Sequence, residues 1–206
     1  MRKDGTLWIM DGGHRYCATL LRDDVNEVPC MVFEIEDKKE EAKAFVGKGT
    51  IRSSISAYHL HRAALCAEEP IAVAVQAILD KYRYIAATSG DTGFKALGTL
   101  KDLVIKEDRT LVERVFGVCA AIAEGRAFTG DMLEGIFYCA KKLTGQADIL
   151  SGSYLEQLKK TTVPGIDLAI RKQRQLFGTG GYMVSAKAIL DILNKGRRRR
   201  LLFPVE

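Results

Sequence analysis

The 206-residue chain has no apolar run approaching the ~20 residues that a membrane span requires. Charge or glycine interrupts every candidate within a few turns. The apolar stretch that follows Arg2-Lys3-Asp4-Gly5 reaches Asp11 too soon to serve as the core of a signal peptide, so a cytoplasmic location is expected, with no membrane partner. Disulfide and zinc frameworks are also missing. The five cysteines, Cys17, Cys30, Cys66, Cys119 and Cys139, are odd in number, widely spaced and without a CxxC pair, and no paired histidines stand at zinc-finger spacing. Buried free thiols are the expectation. No repeat of fixed period and no carboxylate cluster suggesting a metal site is evident, so no metal is expected. Disorder is excluded by a hydrophobic content of 47% and a mean hydropathy of −0.03.

What the chain does have is a displaced charge. Residues 1–56 and 57–170 each balance to −1, whereas 171–206 carry nine basic and two acidic side chains, a net +7. The run Gly196-Arg197-Arg198-Arg199-Arg200 dominates that end, and Lys195 precedes it. Arginines in series suit phosphate by bidentate hydrogen bonding and charge, and Arg171, Lys172 and Arg174 on the preceding helix extend them into a patch. A solvated tail that aids solubility is the alternative.

Hydrophobic periodicity divides the chain. Thr6–Met10 and Val28–Ile35 are short β-prone runs, each followed by a helical pattern, His14–Leu21 and Asp37–Val46. The order strand, helix, strand, helix predicts a βαβ-like unit. Beyond Gly47-Lys48-Gly49 the pattern is helical throughout. Ser54 or Ser56 caps a helix to about Cys66, and Pro70 opens the next, with Ile71, Ala74, Val75, Ile78 and Leu79 on its apolar side. Further helices are expected over roughly 96–105, 108–124, 130–143, 151–160, 164–177 and 181–194.

Within Ile9-Met10-Asp11-Gly12-Gly13-His14-Arg15-Tyr16-Cys17-Ala18 a strand, a glycine turn and a helix start follow in ten residues. Glycines admit close backbone approach to a phosphate, the first helical N–H groups are unpaired, and Arg15 adds a charged fork. A tight βα turn that needs positive φ at Gly12 or Gly13 is the competing reading.

These residues resemble the ParB/sulfiredoxin-like superfamily, and especially the ParB N-terminal-domain-like proteins of phages and mobile elements. Their signature is a strand ending in Asp-Gly-x-His-Arg, then a helix, then Val-Pro. Here it reads Asp11-Gly12-Gly13-His14-Arg15 and Val28-Pro29. The segment Gly49-Thr50-Ile51-Arg52-Ser53-Ser54-Ile55-Ser56 is similar to the family's Asn-x-x-Arg-x-x-Leu-Ser stretch. The resemblance covers about the first 65 residues. It implies a nucleotide or phosphate at Gly12, Gly13, His14 and Arg15, with Arg52 joining them, and it makes His14 a candidate general acid/base, since some relatives are nucleases. Gly12 and Arg15 match the family's phosphate-binding glycine and second arginine, while Gly13 and His14 replace a glutamate and an arginine. Lys48 and Gly49 stand where the family carries a magnesium-associated Glu-Asn, so no cofactor is required and nucleotide binding is expected to be weak. Gly13 occupies the place of the sulfiredoxin cysteine, so sulfinic acid reduction is not implied. Relatives carry a further layer before this motif, and the expectation is that packing on the helical region or a second copy of the chain replaces it.

Other features read as structural. His59 and His61, at i and i+2, face different ways. Tyr82-Arg83-Tyr84 offers base stacking or packing anchors, the latter favoured. Gly178-Thr179-Gly180-Gly181 lacks the Lys-Ser/Thr ending of a P-loop and reads as a helix connection. The sequence therefore predicts an α+β protein, with a small ParB-like βαβ element (1–52) docked on a mostly α-helical bundle (53–206) that ends in the basic tail. The expected function is nucleic-acid binding, to DNA or another nucleic acid, in a ParB-like protein of phage or mobile-element type, with a homodimer as one arrangement. The alternative is a non-catalytic interaction protein, such as a phage-encoded inhibitor of a host nucleoprotein defence complex. The residues themselves lean against catalysis, while the resemblance alone implies nuclease or nucleotide hydrolase activity.

Overall fold

The structure, a computed structural model, describes residues 5–9, 12–49, 56–89, 93–178 and 181–204. In chain order its helices are α1 (Gly13–Thr19), α2 (Lys38–Gly49), α3 (Ala57–Cys66), α4 (Pro70–Lys81), α5 (Leu97–Lys106), α6 (Arg109–Ala123), α7 (Gly130–Lys142), α8 (Gly152–Phe177) and α9 (Tyr182–Asn194). The α+β expectation is overturned. Among the described residues, β pairing amounts to single-residue bridges, at Ile35 and between Ala86 and Phe94. The stretches read as strands, 6–10 and 28–35, form no βαβ unit, and Met10 lies outside the described residues. The reason is visible in burial. Val28, Met31, Val32 and Phe33 all stay exposed, Met31 at 84%, so successive side chains along this segment are left without cover on a ladder.

The chain divides into two compact units, Met1–Ala72 and Val73–Glu206, with the division inside α4. In the first unit α2 packs on α3. Asp37 Oδ1 accepts a hydrogen bond from the Glu40 N–H at 2.8 Å, which caps the start of α2, and the Glu40 carboxylate accepts one from the Glu36 N–H at 2.7 Å. Ser56 caps α3 by accepting from the His59 N–H. The buried side chains of this unit are Ala42, His61, Ala64, Ala67 and Ala72. Lys39 pairs with Glu68, and the Cys66 thiol points to the Lys38 carbonyl at 3.8 Å.

The second unit has a large-residue core. Phe94, Phe116 and Phe128 are buried with Tyr84, ring centroids 5.1 to 5.7 Å apart. The Tyr84 hydroxyl donates to the Arg126 carbonyl at 2.9 Å, so its polar end is satisfied. Tyr82 packs on Phe116 and on Gly117, where a Cβ would stand 2.6 Å from the Tyr82 hydroxyl. The aromatics of Tyr82-Arg83-Tyr84 are therefore packing anchors. Asp108 and Thr129 cap α6 and α7 through their side chains. Helices α7 and α9 approach closely where Gly135 faces Ser185, with a Cβ at Gly135 only 3.0 Å from the Ser185 carbonyl. Helix α8 is two helices joined at Thr162, whose φ of 62° and ψ of 165° are not helical, with Pro164 just beyond.

The expectation of buried thiols divides in the same way. Cys119 and Cys139 are buried, and burial raises both thiols, that of Cys139 to about 12. Cys17, Cys30 and Cys66 are exposed, which corrects that expectation for the first unit.

Candidate nucleic-acid interface

Helix α9 ends at Asn194, and Gly196, at a φ of 76°, turns the chain out of it. The residues that follow form a loop pinned from several sides. The Asn194 amide donates to the Leu201 carbonyl at 2.9 Å, and its Oδ1 accepts from the Leu201 N–H at 2.7 Å, a two-way clamp that closes the loop. Leu201 itself is buried. Gln157 on α8 donates to the Ile192 and Lys195 carbonyls at 2.6 and 3.0 Å. Arg197 donates from Nε to the Leu193 carbonyl at 2.9 Å and from Nη2 to the Ser153 hydroxyl at 3.0 Å, with its guanidinium 3.9 Å from the centre of the Tyr154 ring. These donors satisfy the last carbonyls of α9, where a cation is also favoured by the helix dipole.

The consequence is a division of labour within the arginine run. Arg197 is a structural clamp. Arg198, Arg199 and Arg200 are exposed on the loop between two fixed points, and Lys195 is exposed at its start. The tail is thus a basic loop held at both ends by side-chain hydrogen bonds.

The second half of α8 supplies the remaining basic residues. Gln173 hydrogen-bonds Asp191, and Lys187 lies 4.1 Å from the Phe177 ring centre. Four residues forward on α8 correspond to four residues back on α9, so the two run antiparallel, and Arg171 and Lys172 lie toward the Lys195 end. Both are exposed. Arg174 is different: its guanidinium pairs with Asp131 of α7, and Asp167, about two turns earlier on α8, accepts from the Thr129 hydroxyl at 2.8 Å. Arg174 therefore ties α8 to α7, and of the basic residues singled out from the sequence the exposed ones are Arg171, Lys172, Lys195, Arg198, Arg199 and Arg200.

The glycine turn gives a weaker arrangement. Gly12 takes a φ of 88° and precedes α1, whose first turn is closed by the Tyr16 N–H on the Gly12 carbonyl at 2.9 Å. Arg15 folds back on this turn, its Nη2 only 3.3 Å from where a Gly12 Cβ would stand. Gly13 and His14 are exposed, and α1 buries no residue. Arg52, Asp11 and the Gly49-to-Ser56 stretch up to Ile55 lie outside the described residues or, for Gly49, outside the described side chains. The joint phosphate site of Gly12, Gly13, His14, Arg15 and Arg52 is therefore not assembled by described atoms. Among the described residues no group of three or more His, Cys, Asp or Glu side chains is placed to hold a metal ion. His61 is buried and His59 exposed. Thr179 and Gly180 lie outside the described residues, and Gly178 and Gly181 end α8 and begin α9.

A cleft of about 460 Å³ lies elsewhere in the second unit, lined by Leu111, Arg114, Ala140, Thr144 and Asp148 among others, with Arg114 and Asp148 paired at 3.2 Å. Its lining includes none of the basic residues of 171–200.

No match was found. Comparison with protein-family models, with curated proteins and with solved structures produced none for this chain. No helix among the described residues is long and apolar enough to cross a membrane.

The residues that sequence reasoning passed over are Ser153, Tyr154, Gln157, Asn194 and Leu201, which hold the loop. Asn194 carried a usable signal, since Asn-Lys-Gly is a helix stop with an amide beside it. Ser153, Tyr154 and Gln157 act across more than thirty residues of sequence, whereas Leu201 meets Asn194 across seven.

Proposed function

We propose that this chain binds nucleic acid through its phosphate backbone, using Arg198, Arg199 and Arg200 on the pinned loop with Lys195, Arg171 and Lys172 beside it. The supporting observation is the clamp on both ends of the arginine run. A solvated tail loses conformational freedom when its arginines engage phosphates, whereas a loop already held by Asn194, Gln157 and Arg197 has lost most of it on folding. Such contacts fix position and orientation without reading bases, so binding is expected to be tolerant of sequence.

The reading rests on the C-terminal unit alone. It is tested by fluorescence anisotropy with labelled duplex DNA and RNA over a salt series. Replacing Arg198, Arg199 and Arg200 with alanine should lower the slope of log affinity against log salt by roughly 2 to 3, at about 0.9 for each duplex phosphate contact. Asn194→Ala changes no charge but opens the loop, and should weaken binding about two- to tenfold at an unchanged slope. Absence of binding by the intact chain at low salt would remove the proposal. Equal affinity of Asn194→Ala and wild type would show that charge acts without the clamp.

A further inference from the structure

The first unit carries a surface that is opposite in character to the arginine loop. From Arg22 to Glu41 the sequence holds eight carboxylates and three cations, a net −5. Two of the three cations are already paired inside this unit, Arg22 with Asp24 and Lys39 with Glu68. Asp23, Glu27 and Glu34 are exposed, and between them stand Val28, Met31 and Val32, also exposed, Met31 at 84%. The backbone there forms no helix and no strand over 25–34. An apolar centre flanked by carboxylates is thus displayed on a segment without regular secondary structure, and exposed apolar surface rimmed by polar residues marks interaction sites.

The loop has the complementary pattern. Lys195 to Phe203 holds five cations and no carboxylate, a net +5, and the exposed arginines are followed by Leu202, itself 68% exposed. Both segments therefore place charge beside exposed apolar side chains, and the charges are of opposite sign.

We propose that the acidic-apolar segment 23–34 is an interface for a second copy of this chain, and that it receives that copy's basic loop, Arg198 to Leu202. Opposite charges set the pairing and speed the encounter, and Met31, Val32 and Leu202 supply apolar area between them. Two copies that each give their segment to the other's loop close the assembly at a dimer by two-fold symmetry, whereas a one-sided contact propagates. The inference does not depend on nucleic-acid binding. Where that reading also holds, nucleic acid and the second copy compete for the same arginines.

Charge swapping tests this directly. Sedimentation velocity of the full chain over a hundredfold range of concentration should show reversible self-association at low salt that declines as salt rises. The double variant Glu27→Lys with Glu34→Lys should be monomeric, as should Arg198→Glu with Arg199→Glu, both with unchanged helical circular dichroism because all four positions are exposed. Mixing the two variants should restore a heterodimer, since the lysine-bearing segment of one meets the glutamate-bearing loop of the other. A chain that is monomeric at every salt and concentration would overturn the proposal, and so would a mixture that stays monomeric. Self-association that persists in the Glu27→Lys, Glu34→Lys variant would place the interface elsewhere and overturn it equally. That same variant should bind duplex DNA at least as well as wild type, so loss of the dimer and loss of nucleic-acid binding are read separately.

Discussion

The two units of this chain differ in whether they build a core from large apolar side chains. In Val73–Glu206 the phenylalanines 94, 116 and 137 are sealed, whereas in Met1–Ala72 the side chains of Leu7, Ile9, Met31 and Val32 are more than half exposed and the buried positions are mostly alanines. Composition does not explain this, since both stretches contain apolar residues in quantity. The difference is in what surrounds them. In the second unit α6, α7, α8 and α9 each present an apolar face to more than one neighbour, so bulky residues find cover from several directions. In the first, α2 and α3 meet each other through small side chains, and the extended stretches have no ladder to bury a face against. Bulk becomes stability only where enough faces converge.

The largest test of this contrast is a pair of truncations. Phe116→Ala removes the ring that Tyr82, Tyr84, Phe94 and Phe128 share, and should cost about 3–5 kcal/mol in denaturant unfolding. Met31→Ala should stay within about 0.5 kcal/mol, as exposed positions do. Comparable losses at the two positions would break the comparison.

A smaller effect concerns the strength with which the second unit imposes its geometry. Thr162 sits at φ 62°, ψ 165°, a region that glycine occupies readily and a threonine does not, and it is exposed. The anchors on either side, Gln157 on the Ile192 and Lys195 carbonyls and Arg174 on Asp131, hold it there. Thr162→Gly keeps the joint, relieves the strain and should raise stability by about 1 kcal/mol, after allowing for the greater freedom of glycine in the unfolded chain. A loss of stability would mean that this joint is not strained.

The smallest expected effect is electrostatic. Burial raises the Glu134 carboxyl above its ordinary value of 4.5, with Asp131 and Asp102 adding to the shift and Arg174 and Lys106 opposing it. The native state therefore holds this proton more tightly than the unfolded chain does. Its contribution is fully present below the ordinary value and declines as pH rises through the raised one. Glu134→Gln should flatten the stability profile in the window just above pH 4.5 and leave it unchanged at lower pH. Asp24 in the first unit shifts the other way, lowered by its hydrogen bonds from Arg22 in full solvent, so its contribution is lost as pH falls through the lowered value. Moderate salt should erase the Asp24 contribution and reduce that of Glu134 less, because exposed pairs are screened, whereas the Glu134 shift comes first from desolvation of a half-buried carboxyl.

Local rules carried the helical part of the chain. Ser56, Asp108 and Thr129 are caps that a reader finds by residue type, Pro70 stands at a first helical position, and the apolar spacing of 108–124 and 130–143 matches α6 and α7 to within a residue or two. The same rules misled over 6–10 and 28–35. A helix satisfies its own backbone within a few residues, but a strand needs a partner that composition does not supply, so β-prone residues without a ladder remain extended and uncovered.

The basic end divides along the same line. Its charge is a property of the sequence alone: nine cations against two carboxylates after residue 170 attract phosphate in any conformation. Which of those cations face outward was decided by tertiary contacts. Asp131 takes Arg174, the Leu193 carbonyl, Ser153 and Tyr154 take Arg197, and Asn194 closes the loop on Leu201. Charge is additive along a chain and can be counted, whereas a hydrogen bond depends on two groups meeting at about 3 Å. For groups some forty residues apart, as Arg197 and Ser153 are, only the packing of α8 against α9 brings them within that distance.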